Sequence, residues 1–575
     1  MREPGMPAAS KHSLRAAIVV TGLCGITAQI LLVREFLVTF DGNELTIGVI
    51  LANWLLGEAI GAVLAGRLGR RTGRSLWPYV AVQLVFALSL PAALFAVRVM
   101  RSALGLTGES VGLAPVFWSS IVLLLPVSMS HGALFSLGVT IYSLLPGEKE
   151  GLGSDRSGAA AVGDVYLLET AGTVAGGALL SFLVLALLDA LTSVIMASLA
   201  ALMVCIVLCW SSRARALGAA LGCVLVLGLA AALCGGGGWL YQASVRGQWP
   251  HLDVVSYSNS VYGNITVTRS GEQYSFFENG APVITTPNPD IGFVEEFVHY
   301  PMLFHPAPRR VLVISGGAGG VLSEVQKYPV RTLDYCELDP ALIEAVRRFP
   351  TPLTEREFSD PRTRISNVDG RLFLSRAAGP YDVILLGLPL PTDLQTGRFF
   401  TTDFFEIAKN KLADGGILAL SVPGSITYLD ESLAAVNLSI LRGLRQTFPA
   451  VRVIASYTNF YLASKDRRIL ELGSEDLIKR MKEQGHPRRG LRVPFANDPH
   501  RKPGPVRARE TGHYDREGAA DGHVPAPGGD RAGMEQGADA QGAVPEGGPP
   551  ARRLEGGRRP AVRVLHPGFR GRGGP

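Results

Sequence analysis

Cysteine is scarce, with 6 in 575 residues, and none stands in a CxxC or Cys/His spacing. That absence excludes a zinc module and a disulfide framework, so no metal is expected. Five of the six (Cys24, Cys205, Cys209, Cys223, Cys234) fall in apolar runs and read as buried small hydrophobes, leaving Cys336 alone in the soluble part. Charge is scarce as well: Asp, Glu, Lys and Arg make up 18% of the chain against 47% hydrophobic residues. The net charge of +6 does not mark an acidic partner. Residues 486–575 carry fifteen Arg and one Lys against ten Asp plus Glu, so this tail holds all of it. The remainder balances to zero and offers no basic face, which excludes a nucleic-acid partner.

The apolar residues are concentrated before about residue 241. Runs of bilayer-spanning length occur at about 16–40, 44–66, 76–97, 115–145, 162–188, 191–210 and 216–240, and roughly 20 residues suffice to cross as a helix. The first is followed at once by others and has no clear cleavage site, so it is read as a span and not as a signal peptide. Seven spans are expected, with a parity uncertain by one.

Arg2, Lys11 and Arg15 precede the first span, Arg67, Arg70, Arg71 and Arg74 follow the second, and Arg213 with Arg215 follow the sixth. The positive-inside rule puts all three groups in the cytoplasm. Seven crossings would leave the following domain outside. Either the domain faces out, or it lies on the cytoplasmic side of the inner membrane, the side expected, and one segment does not fully cross; the Gly235–Gly238 run makes the seventh the first to suspect.

Arg34, Glu58, His131 and Glu169 stand out among polar residues inside the apolar half, with Gln29, Glu35 and Glu44 beside them. Such groups need partners in a bilayer. They fit a ligand or ion path, or internal pairs such as Arg34 with Glu35 or Glu58. Gly57/Gly61, Gly172/Gly176 and Gly218/Gly222 have the four-residue spacing that lets helices approach closely.

From about 251 the pattern changes. Asn264–Thr268 (NITVT) and Gln273–Phe277 (QYSFF) flank Ser270-Gly271 as a hairpin, and a helix is expected over Ile291–Phe304. A βαβ series follows. Strands are expected at Val311–Ile314, Thr332–Glu337, Tyr381–Leu386, Gly416–Val422 and Arg452–Tyr457, with a helix at Val321–Lys327. Alternation of this kind predicts a mostly parallel sheet with helices on both faces.

The loop Ser315–Gly320 (SGGAGG) joins a buried strand to a helix, where backbone N–H groups can approach a ligand. Glu337 ends the next strand, 21 residues after Gly316, where an acid can accept from ribose hydroxyls. Asp369-Gly370 lie at a further strand end, placed to accept from an adenine amino group. The expected nucleoside site is therefore Gly316, Gly317, Gly319, Glu337, Asp369 and Gly370.

The stretch from Val261 to about Tyr457 resembles the spermidine synthase family of polyamine aminopropyltransferases. The resemblance rests on VYGNI, FFENG, VEEFVHYPMLFHP, VLVISGGAGG, CELDP, DPRTRISNVDG, YDVILL and GRFFTTDFFEIAKNKLADGGIL. AQILLVREFLVTFDGNEL and YLLETAGTVAGG in the apolar half point to the membrane-fused bacterial branch. The resemblance implies a multi-pass helical membrane domain (16–244) after a short N-terminal tail (1–15). Next come a small β-hairpin region and a Rossmann-like, methyltransferase-type α/β domain (251–485). It implies decarboxylated S-adenosylmethionine, S-adenosylmethionine or methylthioadenosine as ligand, with no tightly bound cofactor. Its implied partners are membrane lipid, an amine acceptor and a second copy in a homodimer.

The family's catalytic Asp follows the YDVI strand, because an attacking amine must lose a proton. Here that stretch reads Gly387-Leu388-Pro389-Leu390-Pro391, the acid of the glycine loop is Ala318, and Tyr-His-Glu appears as His299-Tyr300-Pro301. Asp393 is the substitute acid to consider, against a reading as an ordinary loop charge. The nucleoside half of the site is expected, and aminopropyl transfer by the usual mechanism is not. The alternatives are a methyltransferase-like or non-catalytic nucleoside-binding domain that regulates a membrane transporter or sensor. About two-thirds of residues 501–575 are Gly, Ala, Pro or Arg, which cannot build a core. The tail 486–575 is read as a frame-shifted or read-through end, with a basic lipid-binding tail as the rival.

Overall fold

The computed structural model describes residues 8–40, 42–72, 75–103, 112–144, 154–184, 187–211, 214–388, 390–425 and 430–483. The tail 486–575, Arg74 and Arg213 lie outside these residues.

The first half is helical: α1 (Ala8–Phe40), α2 (Glu44–Thr72), α3 (Trp77–Ala103), α4 (Leu113–Ser143), α5 (Ser154–Leu179), α6 (Ala190–Ser211), α7 (Arg215–Ala231) and α8 (Gly237–Gln248). Six helices are long and apolar enough to cross a membrane, and the bent pair α7/α8 makes up to seven if counted as one span. That pair turns by 65°, and Gly235 takes φ 97° between its halves, a backbone state that favours glycine.

Small residues set the closest approaches. A Cβ at Gly61 would lie 1.9 Å from the Met129 carbonyl oxygen, and one at Gly172 1.9 Å from that of Val19. Two of the three expected glycine pairs thus lie at helix contacts, α2 on α4 and α5 on α1. The third is split: Gly218 lies against α6, where a Cβ would stand 2.2 Å from the Trp210 ring, while Gly222 meets nothing within 4 Å.

Polar pairing inside this half differs from the expectation for Arg34. Arg34 donates to the Ser260 carbonyl oxygen at 2.8 Å. Glu35 is taken by Arg98 instead, at 3.0 and 2.7 Å, and Arg98 also donates to Ser244 Oγ at 2.8 Å. The reason is position: Arg34 lies at the edge toward the second half of the chain, whereas Glu35 points among α1, α3 and α8. Glu58, His131 and Glu169 do come together. His131 Nδ1 is 2.7 Å from Glu58 Oε1, its Nε2 is 3.6 Å from Glu169 Oε1, and Trp54 Nε1 donates to Glu58 at 2.7 Å. Gly25 makes the room, since a Cβ there would overlap the His131 ring.

Strands β1 (Asp253–Asn259), β2 (Asn264–Ser270), β3 (Gln273–Glu278) and β4 (Ala281–Thr286) form an antiparallel sheet in sequence order. The expected 264–268/273–277 hairpin is its centre. Helix α9 (Ile291–Phe304) follows, capped by Asp290, whose side chain accepts from Phe293 N–H. The second sheet has seven strands in the order β10-β11-β9-β8-β5-β6-β7. They are β5 (Arg310–Ile314), β6 (Thr332–Glu337), β7 (Thr363–Asn367), β8 (Tyr381–Leu386), β9 (Leu412–Pro423), β10 (Ala450–Ile454) and β11 (Thr458–Ser464). Strands β7, β6, β5, β8 and β9 are parallel, and β11 and β10 close one edge antiparallel. The final strand expected at Arg452–Tyr457 is thus the first arm of a hairpin.

Both faces of this sheet are covered, which explains strands apolar without alternation. Val311, Val313, Val383 and Leu385 pack on one side with α9, while Leu312, Ile314, Ile384 and Leu386 pack on the other with α15 (Thr402–Lys411) and α16 (Glu431–Thr447). Chain order reverses between β5 and β8, and ligands of open α/β sheets bind at the carboxyl ends of strands at such a reversal.

Candidate functional site

The reversal is built by two glycines. Strand β5 is followed by Ser315, with φ 57°, and Gly316, with φ 63°. Strand β8 is followed by Gly387, whose N–H donates to the Ile314 carbonyl at 2.9 Å. A Cβ on Gly316 would stand 2.5 Å from the Gly387 carbonyl oxygen, and a Cβ on Gly387 would stand 2.4 Å from that of Ser315. Side chains are excluded from both positions, leaving open backbone at the end of the central strands.

Glu337 lies at the end of β6 and is 4% exposed. Tyr335 Oη donates to it at 2.8 Å, Leu338 N–H at 3.0 Å, and Ser315 Oγ at 3.2 Å to each oxygen. Burial pushes this carboxyl above its usual range, and these donors pull it back. Gly317 packs on the Tyr335 ring, where a Cβ would come within 2.7 Å, so its bareness lets that tyrosine reach Glu337.

Asp369 caps α13 (Gly370–Arg376) through Leu372 N–H at 2.8 Å and also accepts from Arg398. Gly370 packs against Ile314, which brings the β7 end beside the β5 end.

The N–H groups of Gly319 and Gly320 are not directed at open space. They donate to the carboxylate of Glu357 at 2.8 and 2.6 Å, joined by Ser323 N–H at 3.2 Å. Glu357 is fully buried on α12 (Pro352–Ser359) and anchors the far side of the loop, so Gly319 shapes the turn at φ 85°. No sequence feature marked Glu357, an acid in the middle of an ordinary amphipathic helix. Asp393, the substitute acid considered from sequence, caps the short α14 (Leu394–Gly397): its Oδ1 accepts from Thr396 N–H at 2.6 Å and Thr396 Oγ1 at 2.9 Å.

Glu278, at the end of β3 within the FFENG motif, was not singled out. Burial pushes its carboxyl up to about 7, reinforced by the nearby charges of Glu337, Asp339 and Asp393. Arg398, beside Asp369, was also missed. A cavity of about 510 Å³ opens beside these groups, lined by Glu44, Tyr262, Leu338, Asp369, Leu394 and Arg398 among others. Among the described residues no group of His, Cys, Asp and Glu has the arrangement of a metal site.

The family described as the spermine/spermidine synthase domain matches residues 292–465. A spermidine synthase of Dictyostelium discoideum is 32% identical over 178 residues, 31% of this chain and 62% of that protein. A polyamine aminopropyltransferase of Thermotoga petrophila is 35% identical over 137 residues, 24% of this chain and 46% of that protein. The chain thus spans about half to three-fifths of the length of these relatives. A solved spermidine synthase in complex with the transition state analogue AdoDATO covers 41% of this chain and 81% of its own, with a TM-score of 0.35 and 26% identity. With five parallel strands, a glycine loop after the first and an acid ending the second, residues 292–465 form a spermidine-synthase-like domain of Rossmann-like fold.

Proposed function

We propose that the domain binds an adenosyl thioether or sulfonium, of which decarboxylated S-adenosylmethionine is the expected member. The observation that carries this is Glu337: a buried carboxylate, oriented by three donors, at the carboxyl end of the strand next to the glycine loop and the strand-order reversal. A ribose diol would add two O–H donors there, which favour the ionised form that burial disfavours. Asp369 follows the next strand out, β7, and lines the cavity that Leu338 also borders, which favours it as the contact to the base.

The amine half of the usual reaction lacks its acids. Aminopropyl transfer forms an N–C bond as the C–S bond breaks, the thioether leaves with the electron pair, and the proton on nitrogen passes to a carboxylate. Gly387, Leu390, Ala318 and Pro301 supply none, so slow or absent transfer to putrescine is expected. The test is calorimetry of the full chain in nanodiscs with methylthioadenosine. Glu337→Ala should weaken binding by about 1–3 kcal/mol, and equal affinity would remove this reading.

For the helical half, a membrane-spanning role is supported by helix length and composition. The cluster Glu58–His131–Glu169 favours a second reading beside the first, a transport or sensing role in the membrane governed by the nucleoside domain. Loss of a ligand-dependent proton or cation flux in His131→Gln proteoliposomes would support it, and absence of any flux in the parent would end it.

The side of the domain follows from which helix ends meet. Ser13 with Ser211 (2.9 Å), Arg15 with Tyr142 (2.8 Å) and Gly69 with Thr140 gather one end of the bundle, which also holds Arg67, Arg70, Arg71 and Arg215. The second half of the chain is tethered at the other end, its small sheet through Arg34 and Arg101 and its α/β domain through Asn43 and Glu44. Since arginine-rich ends stay in the cytoplasm, this arrangement supports an extracytoplasmic domain, contrary to the expectation from the ligand's usual origin.

A further inference from the structure

The cavity beside Glu337 is not closed by the α/β domain alone. One wall comes from the start of α2. Glu44 Oε1 accepts from Leu394 N–H at 3.1 Å, and Asn43 Nδ2 donates to the Thr392 carbonyl at 3.1 Å. Asn43 Oδ1 meanwhile caps α2 through Leu45 and Thr46 N–H at 3.1 and 3.3 Å, so this turn is held from both sides. Two more tethers hold the facing rim: Arg34 on the Ser260 carbonyl at 2.8 Å and Arg101 on the Gly280 carbonyl at 2.7 Å.

The other carboxylates around the cavity are occupied. Asp369 serves Leu372 and Arg398, Glu337 serves Tyr335, Ser315 and Leu338, Asp393 serves Thr396, and Asp339 serves Ser260 and Ala341. Glu44 is exposed to the cavity, and among the described residues its second oxygen accepts no hydrogen bond. Among the described residues that line the cavity the charged groups are Glu44, Asp369 and Arg398, and Arg398 is already paired with Asp369. The charge of Glu44, on the helical half, is therefore the one left uncompensated in the lining.

We propose that Glu44, supplied by the helical half, completes the ligand cavity as the carboxylate that receives a cationic amine bound beside the adenosyl ligand. This rests on reading the cavity as an adenosyl-ligand site. It extends that reading by making the helical half a structural part of the site and by naming a primary alkylammonium as the group bound. The positions that would hold acids after β8 carry Gly387 and Leu390, so the anion comes from a different part of the chain. A carboxylate meeting an ammonium donor in a partly enclosed cavity gives a strong, charge-assisted hydrogen bond.

The experiment uses the full chain in nanodiscs, with methylthioadenosine and putrescine as probes. Glu44→Gln keeps an acceptor for Leu394 N–H and removes only the charge. Putrescine affinity, measured with methylthioadenosine saturating, should fall about tenfold or more, while methylthioadenosine affinity stays within about twofold. Glu44→Asp, which retains the charge on a shorter arm, should fall between the two. Unchanged putrescine binding in Glu44→Gln, or no putrescine binding by the parent that does bind methylthioadenosine, overturns this proposal and leaves the nucleoside reading standing. A parent that binds neither overturns both. An equal loss of both ligands in Glu44→Gln would show that Glu44 only holds the loop in place, and would also overturn it.

Discussion

Gly316 and Gly387 meet backbone to backbone where the strand order reverses, each leaving no space for a Cβ on the other's side. Gly387 stands where the spermidine synthase resemblance would place a catalytic Asp. The backbone after β5 leaves no space for a side chain there, since a Cβ on Gly387 would stand 2.4 Å from the Ser315 carbonyl oxygen. Gly387→Asp should lower stability by about 1–3 kcal/mol, the usual cost of overpacking, and should not restore transfer to putrescine. A chemical melt and a transfer assay check the two halves, and a stable, active variant would show that the strands part easily.

Glu357 holds the glycine loop from behind. Glu357→Ala would leave the buried N–H groups of Gly319, Gly320 and Ser323 without acceptors, at about 1–3 kcal/mol for each unsatisfied group. Strong destabilisation is expected, with loss of methylthioadenosine binding. The milder Glu357→Gln keeps one acceptor oxygen and should fold, with weakened nucleoside affinity. Wild-type affinity in Glu357→Gln would mean that the loop keeps its shape without this anchor.

Burial pushes the Glu278 carboxyl up to about 7, above its unfolded value near 4.5. A raised carboxyl stabilises the fold fully below its unfolded pKa, and that contribution is lost as pH rises through the folded one. The groups facing it are Glu337, Asp339 and Asp393, all acids. Melting temperature should therefore decline between about pH 5 and 7, and Glu278→Gln should flatten the decline. Differential scanning measurements on both proteins decide this, and parallel pH curves would show that Glu278 is not the group responsible.

The parts of the fold that were legible in sequence are those with a simple physical signature. The β5 and β8 segments hold unbroken apolar runs, Val311–Ile314 and Val383–Leu386, because both faces of the sheet are covered. Glu337 was legible because it ends the strand that follows the glycine loop, 21 residues after Gly316. The β10/β11 hairpin was only half legible, since its second arm lies outside the βαβ rhythm. The partners of Arg34, Glu44 and Glu357 were not legible at all. Each is defined by a residue more than 30 positions away (Ser260, Leu394 and Gly319), and only the folded chain brings them together.

The last prediction concerns the side of the membrane. Helix α7 begins next to the end of α6, where Ser211 meets Ser13, and α8 ends where Ser244 accepts from Arg98 at the opposite end of the bundle. The bent pair thus runs from one end of the bundle to the other in spite of the break at Gly235, so that, on the proposed reading of these helices as spans, the crossings are odd in number. With Arg15, Arg67, Arg70, Arg71 and Arg215 on the cytoplasmic side, the chain beyond Gln248 emerges on the other. Alkaline phosphatase fused after Gly485 should be active in cells, and a green fluorescent protein at the same point should be dark. The truncation itself should leave the melting temperature unchanged, because the tail beyond Gly485 has too little apolar content to form a core. A fluorescent fusion with inactive phosphatase would mean that α7 and α8 turn back within the bilayer and that the domain meets its ligand in the cytoplasm.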